Sequence, residues 1–174
     1  MPGTSADLYE QDFFRWAEEQ AAALRQAARS GINVPVDWEN VAEEIEGLGV
    51  SLKRELRSRL TVVLEHLLKL EHSLAQDPRS GWIETIARER MEIEYLLEDS
   101  PSLKGQVGAL IAQAGQRAAR EVARTLHGRG ETDPHIPRPA YTEEQMLGDW
   151  FPEPRHPPAR PTRQRRVSRG GGGN

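Results

Sequence analysis

The stretch 37-DWENVAEEIEGLGVSLKRELRSRLTVVLEHLLKLEHSLAQ-76 decides the fold. Ile45, Leu48, Leu52, Leu56, Leu60, Val63, Leu67, Leu70 and Leu74 recur along it in steps of three or four, the spacing that lines one face of an α-helix. Asp37 is placed to cap the start, and Val36 with Val41 has the spacing of a hydrophobic staple. The five carboxylates between Asp37 and Glu46 then lie in and near the first turns, where negative charge favours the helix dipole. Gly47 and Gly49 interrupt the run, and each glycine costs about 1 kcal/mol in a helix interior. Because the apolar stripe keeps its phase across them, one long helix ending near Gln76 is expected, with a kink allowed at the glycine pair. At the α-helical rise it would be about 60 Å long.

The same period organises the rest of the chain. Asp7 to Ser30 reads as one helix with Tyr9, Phe13, Trp16, Ala23, Leu24 and Ala27 inward, closed by Gly31 in a left-handed conformation. After the turn QDPRSG, Ser80 is expected to cap a helix facing inward through Trp82, Ile86, Ile93 and Leu97, with Glu89 or Arg90 at the intervening turn. Ser100 followed by Pro101 reads as the cap and first residue of the last long helix. Its inner face is Leu103, Val107, Leu110, Ala114, Ala118, Val122 and Leu126, with Gly128 or Gly130 closing it. Thr142 and Gln145 make a capping box, and Tyr141 with Met146 a staple, for a short helix docking through Met146, Leu147, Trp150 and Phe151. The fold class expected is therefore all-α, a bundle of four main helices plus a short C-terminal one.

Composition narrows the chemistry. None of the 174 residues is cysteine, so disulfides and thiolate catalysis are excluded, and metal ligation would fall to histidine and carboxylates. No apolar run reaches the roughly 18 residues of a membrane span, and MPGTSADLYE lacks the pattern of a secretory signal, so a cytoplasmic protein without membrane contact is expected. The net charge of −4 conceals an asymmetry. From Glu153 onward six arginines face one acid, a net of +5, which leaves residues 1–152 at −9. One helical domain over 1–152 and a disordered Arg/Pro/Gly-rich tail over 153–174 are expected. The tail reads as a solvated extension; its functional reading is a weak contact with nucleic acid or another acidic partner through Arg155, Arg160, Arg163, Arg165, Arg166 and Arg169.

The blocks DLYEQDFFRWAEEQAAALR, DWENVAEEIEGLG, LRSRLTVVLEHLLKL, WIETIARERMEIEYLLEDSPSLKGQV and TEEQMLGDWFPE, in that order, resemble the bacterial domain-of-unknown-function 29 family over Asp7 to Glu153. The resemblance implies an all-helical domain and brings no established activity with it. The proline-rich loop His127 to Ala140 and the arginine tail depart from the family's pattern. On the same resemblance His66 and Lys69, with Trp82 and Arg88, form the most distinctive polar group.

Two function classes follow. Glu39, Glu43 and Glu46 share a helix face with Glu44 beside them, but di-metal bundles draw histidine from Glu-x-x-His pairs, and Val63, Lys69 and Arg124 stand three residues before His66, His72 and His127. No metal and no cofactor are expected, and Glu46 is expected to pair with a basic residue of a neighbouring helix. His66 beside Lys69 has the chemistry of a general base, but no nucleophile motif or phosphate-cradling loop accompanies it. The bland alternative has both meeting Glu43, Glu44 or Glu94 across the bundle. The first class is a non-enzymatic interaction or regulatory module with a protein partner. The second is a small enzyme or ligand-binding domain using His66, Lys69, Trp82 and Arg88 with Glu43, Glu44 and Glu46.

Overall fold

The computed structural model describes residues 5–31, 34–131 and 136–155, with side-chain surroundings from Asp7 onward. Its helices are α1 (Ser5–Gln11), α2 (Phe13–Arg29), α3 (Trp38–His72), α4 (Arg79–Asp99), α5 (Val107–Gly128) and α6 (Glu143–Leu147), with a 3-10 segment Pro101–Gln106 before α5. No strand occurs among the described residues, and no helix there is long and apolar enough to cross a membrane. The fold is all-α.

The 35-residue α3 is the axis against which α2, α4 and α5 pack. Leu56, Leu60, Val63, Leu67 and Leu70 of the expected stripe are buried, joined by Leu64 and Leu68 where helices cover a second side. The helix runs unbroken through the glycine pair, and neither glycine has a positive φ. At Gly49 an added Cβ would lie 3.5 Å from the Phe14 ring and 3.6 Å from Ala17 Cβ, which is ordinary contact. Gly49→Ala is therefore expected to be neutral or to stabilise by up to about 1 kcal/mol. Denaturant titration reads this directly, and a loss larger than that would show that α2 needs the bare backbone.

At its far end α3 stops at His72 rather than near Gln76. Ser73 turns extended, its hydroxyl donates to the Glu131 carboxylate at 2.8 Å, and the Leu74 N–H donates to the other oxygen at 2.7 Å. Leu74, expected as the last core position, is 52% exposed. At the near end Asp37 caps the helix as expected, but Val36 and Val41 are both exposed, so the staple buries little.

The first expected helix is two. Asp12 leaves the helical region at φ −158°, and its carboxylate accepts from Arg15 N–H at 3.1 Å, Ser102 N–H at 2.8 Å and the Ser102 hydroxyl at 2.9 Å. In return the Ser100 hydroxyl accepts the Phe14 N–H at 3.2 Å. Each chain segment thus caps the other's first turn, supplying partners for N–H groups that no helix satisfies internally. The break also resets which face of α2 is inside. Phe14, Ala17 and Ala21 are buried, while nearer the surface Phe13 stacks on Trp16 and Tyr9 meets both edge to face, with ring centroids 4.8–5.3 Å apart.

Two further caps differ from expectation. Ser100 is spent on α2, so Pro101 opens the 3-10 segment and α5 starts only at Val107. Helix α4 begins at Arg79, with Pro78 rather than Ser80 in the cap position and no side-chain cap bond. Its inner face is Trp82, Ile86, Ile93 and Leu97 as expected, and all seven expected positions of Leu103 and α5 are buried. Gly130, at φ +78°, closes α5 with the Glu131 N–H returning to the Leu126 carbonyl. The Thr142–Gln145 capping box forms in both directions, and Met146 is fully buried beneath α6. Tyr141, Leu147 and Phe151 pack on the core, whereas Trp150 stays 36% exposed.

Candidate functional site

The polar group marked in the sequence is not one site. Glu43 and Glu44 are exposed, and Glu46 joins Glu39 in holding Arg25 of α2, at 2.7 Å and 3.2 Å. This is the interhelical pairing expected of Glu46. His66 lies twenty residues further along the same uninterrupted helix, about 30 Å away at 1.5 Å per residue. It is half-buried and donates from Nδ1 to the Val62 carbonyl at 2.8 Å, leaving Nε2 as the acceptor. Burial holds its pKa below the usual value; the Val62 bond and Glu89 oppose this, and the Lys69 and Arg88 charges reinforce it.

Lys69 is likewise lowered by burial, and Glu65 of its own helix and Glu121 of α5 raise it. The acids facing His66 and Lys69 are thus Glu89, Glu65 and Glu121, not Glu43, Glu44 or Glu94. Trp82 is a core residue with the Arg129 guanidinium 5.9 Å from its ring centre. Arg88 is mostly exposed, 3.6 Å from Glu89. None of Glu43, Glu44, Glu46, His66, Lys69, Trp82 and Arg88 lines any of the three clefts described below. Among the described residues no group of three His, Asp or Glu is arranged to hold a metal ion.

What the structure does gather is a set of contacts around the C-terminal segment. Arg90 occupies an inner position of α4 between Ile86 and Ile93. Its Nε donates to the Met146 carbonyl at 2.9 Å and its Nη2 to the carbonyls of Gln145 and Trp150, each at 2.8 Å. The guanidinium also sits 5.0 Å from the Phe151 ring centre. Burial lowers its pKa, with Asp149 opposing. Arg90 therefore terminates α6 by binding its free carbonyls, a role sequence reading reached only as a charged residue at an inward turn.

Glu71, in the last turn of α3, makes the second attachment. Its carboxylate accepts a hydrogen bond from the Tyr141 hydroxyl and another from Arg155 Nε at 2.7 Å, while its main-chain carbonyl accepts the Arg155 N–H at 2.9 Å. Burial pushes the Glu71 carboxyl up, but the bonds from Tyr141 and Arg155 and the nearby His72 outweigh it and hold the group below the ordinary range. Burial and the Glu71 contact push the Tyr141 phenol strongly upward. These residues border a cleft of about 400 Å³ together with Arg138 and Trp150. Ordered contacts therefore run three residues past the expected boundary at 152. The remainder of the expected tail, with Arg160, Arg163, Arg165, Arg166 and Arg169, lies outside the described residues.

Two larger clefts flank α3 and α4. One, of about 630 Å³, runs along α4 past Ile83, Ala87 and Met91, with Leu147 and Phe151 on its other wall and Glu94, Glu98 and Asp149 around it. The other, of about 590 Å³, lies between α3 and α5.

A four-helix all-α domain with a C-terminal segment strapped across it by Arg90 and Glu71 is the class that these elements define. The chain belongs to the family described as Domain of unknown function DUF29, whose model matches residues 8–151. It is similar in fold to an alpha-helical protein of unknown function from Rhodospirillum rubrum ATCC 11170, known from a crystal structure, with a TM-score of 0.65 and 24% sequence identity. That match covers 80% of this chain and 89% of the other. No curated protein matches the chain.

Proposed function

We propose that the domain is a protein-interaction module that receives a basic, amphipathic helical segment of a partner in the cleft along α4. The observation that supports this is an apolar line left uncovered on α4, beside the face that the core covers. Ile83, Ala87 and Met91 follow one another at steps of four, and Ile83 and Met91 are 41% and 44% exposed. Leu147 and Phe151 give the line a second wall, which makes a groove of the kind that accepts the apolar face of a helix. Glu94, Glu98 and Asp149 face one exposed cation, Lys104, so the groove favours a positively charged occupant. The chain's own arginine tail matches that charge but not the apolar line, since Ala159 and Val167 are its only aliphatic side chains apart from proline.

The test is fluorescence anisotropy with a labelled peptide that carries leucine and lysine at helical spacing. Saturable binding is expected, weakened about tenfold by Met91→Glu and again by Glu94→Lys, each such step corresponding to about 1.4 kcal/mol. Both positions are exposed, so the fold is unaffected. Binding that ignores Met91→Glu and vanishes with salt would mean charge attraction alone, and would overturn the reading.

A further inference from the structure

The cleft between α3 and α5 has a different character. Arg54, Arg57, Ser58 and Thr61 project from one face of α3, at helical steps of three and four, and Gln113 and Arg117 from the facing side of α5. Several other arginines of the described surface meet carboxylates: Arg15 with Glu19, Arg25 with Glu39 and Glu46, Arg59 with Glu55, Glu89 and Glu92, Arg124 with Glu121, Arg155 with Glu71. Arg54, Arg57 and Arg117 make no ion pair and no side-chain hydrogen bond among the described residues, yet all three converge on one concavity. Arg54 and Arg57 stand three apart on the helix, where like charges destabilise each other.

The acids at the cleft leave this positive excess in place. Arg124 Nη1 donates to the Glu121 carboxylate at 3.0 Å, and half-buried Glu65 has Lys69 as its leading opposite charge with Arg117 second, so three arginines stand against two acids. The Thr61 hydroxyl is committed to the Arg57 carbonyl at 2.8 Å, whereas Ser58 and Gln113 remain as neutral donors. Val62 and Ala114 supply the apolar lining, and no aromatic ring is present for a nucleobase to stack on. A volume of about 590 Å³ is within the range of small-ligand sites. Guanidinium groups bind phosphate oxygens through paired, charge-assisted hydrogen bonds, and three of them around one space match an anion with several phosphate groups.

We propose that the cleft between α3 and α5 is a binding site for a small polyphosphate-type anion, held by Arg54, Arg57 and Arg117 with Ser58 and Gln113. The site shares no residue with the α4 groove, and it stands whether or not that groove binds a partner.

The test is isothermal titration of the full chain with inorganic triphosphate at physiological ionic strength. One saturable site is expected. Arg57→Gln combined with Arg117→Gln should weaken it at least about tenfold, with an unchanged melting temperature because both side chains are exposed. Replacing Arg163, Arg165 and Arg166 by glutamine should leave the affinity as it was. Absence of saturable binding overturns the proposal, and so does an affinity that falls with the tail replacements and survives the cleft replacements. A short single-stranded oligonucleotide supplies the same phosphate chemistry as a polymer. If it binds more tightly than triphosphate and is lost in the cleft variant, the cleft is a nucleic-acid contact and the small-anion assignment fails.

Discussion

Arg90→Ala is expected to destabilise the domain by about 3–4 kcal/mol, since hydrogen bonds to a charged group are worth roughly 1.5–3 kcal/mol each and three bonds from one side chain do not add fully. In a domain of this size that is a fall of about 10 °C in melting temperature. The reason lies in what remains after truncation. The carbonyls of Gln145, Met146 and Trp150 keep their need for a donor but lose the one that reached all three. Arg90→Lys should recover only a small part, because a single ammonium cannot span three carbonyls as a planar guanidinium does. Thermal unfolding followed by circular dichroism measures both variants. A loss below about 1 kcal/mol for Arg90→Ala would mean that water replaces the guanidinium and that the strap is held by Met146 and Phe151 alone.

The second large effect is expected at Asp12. Asp12→Ala removes a helix cap, typically worth about 1 kcal/mol, together with two charge-assisted bonds to Ser102, for a total of about 2–3 kcal/mol. Because those bonds join residues ninety positions apart, the loss should be shared with the 3-10 segment. A double-mutant cycle with Ser102→Ala is the discriminating measurement, and a coupling energy of about 1 kcal/mol is expected. Additive single effects would show that the Ser102 hydroxyl adds nothing and that only the main-chain N–H, which Ser102→Ala leaves in place, links Asp12 to the 3-10 segment.

Much of this architecture can be read from spacing alone. The α3 stripe from Leu56 to Leu70, the seven inward positions of Leu103 and α5, and the Thr142–Gln145 box depend on helical geometry within a few turns, which sequence records directly, whereas Leu48 at one end and Leu74 at the other are exposed. Asp12 does not. In the run from Asp7 to Ser30 it occupies a position that a solvated acid would fill equally well, and only Ser102 makes it a break. Ser100 misleads in the same way, since a good local cap was taken by a distant helix.

The candidate residues are not gathered in one place, for a geometric reason: the helical run from Gly49 to His66 is about 25 Å long at 1.5 Å per residue, so Glu43–Glu46 stay far from His66 even with a kink at the glycine pair. Arg90 could be seen as a charge facing inward, but its partners are main-chain carbonyls, which carry no sequence signature. The arginine cleft was hidden by interleaving. Along the chain Arg54, Glu55, Arg57 and Arg59 look mutually neutralised, while helical rotation delivers Glu55 to Arg59 and turns Arg54 and Arg57 away.

The strap attachment through Arg90 has an evolutionary consequence. Every amino acid offers a main-chain carbonyl, so a clamp that grips carbonyls is indifferent to which side chains the gripped segment carries. Leu147 and Phe151 wall the α4 groove from that segment. Substitution at Leu147 can reshape that wall while the carbonyl anchorage persists, whereas Met146, fully buried in the core, keeps the segment in place.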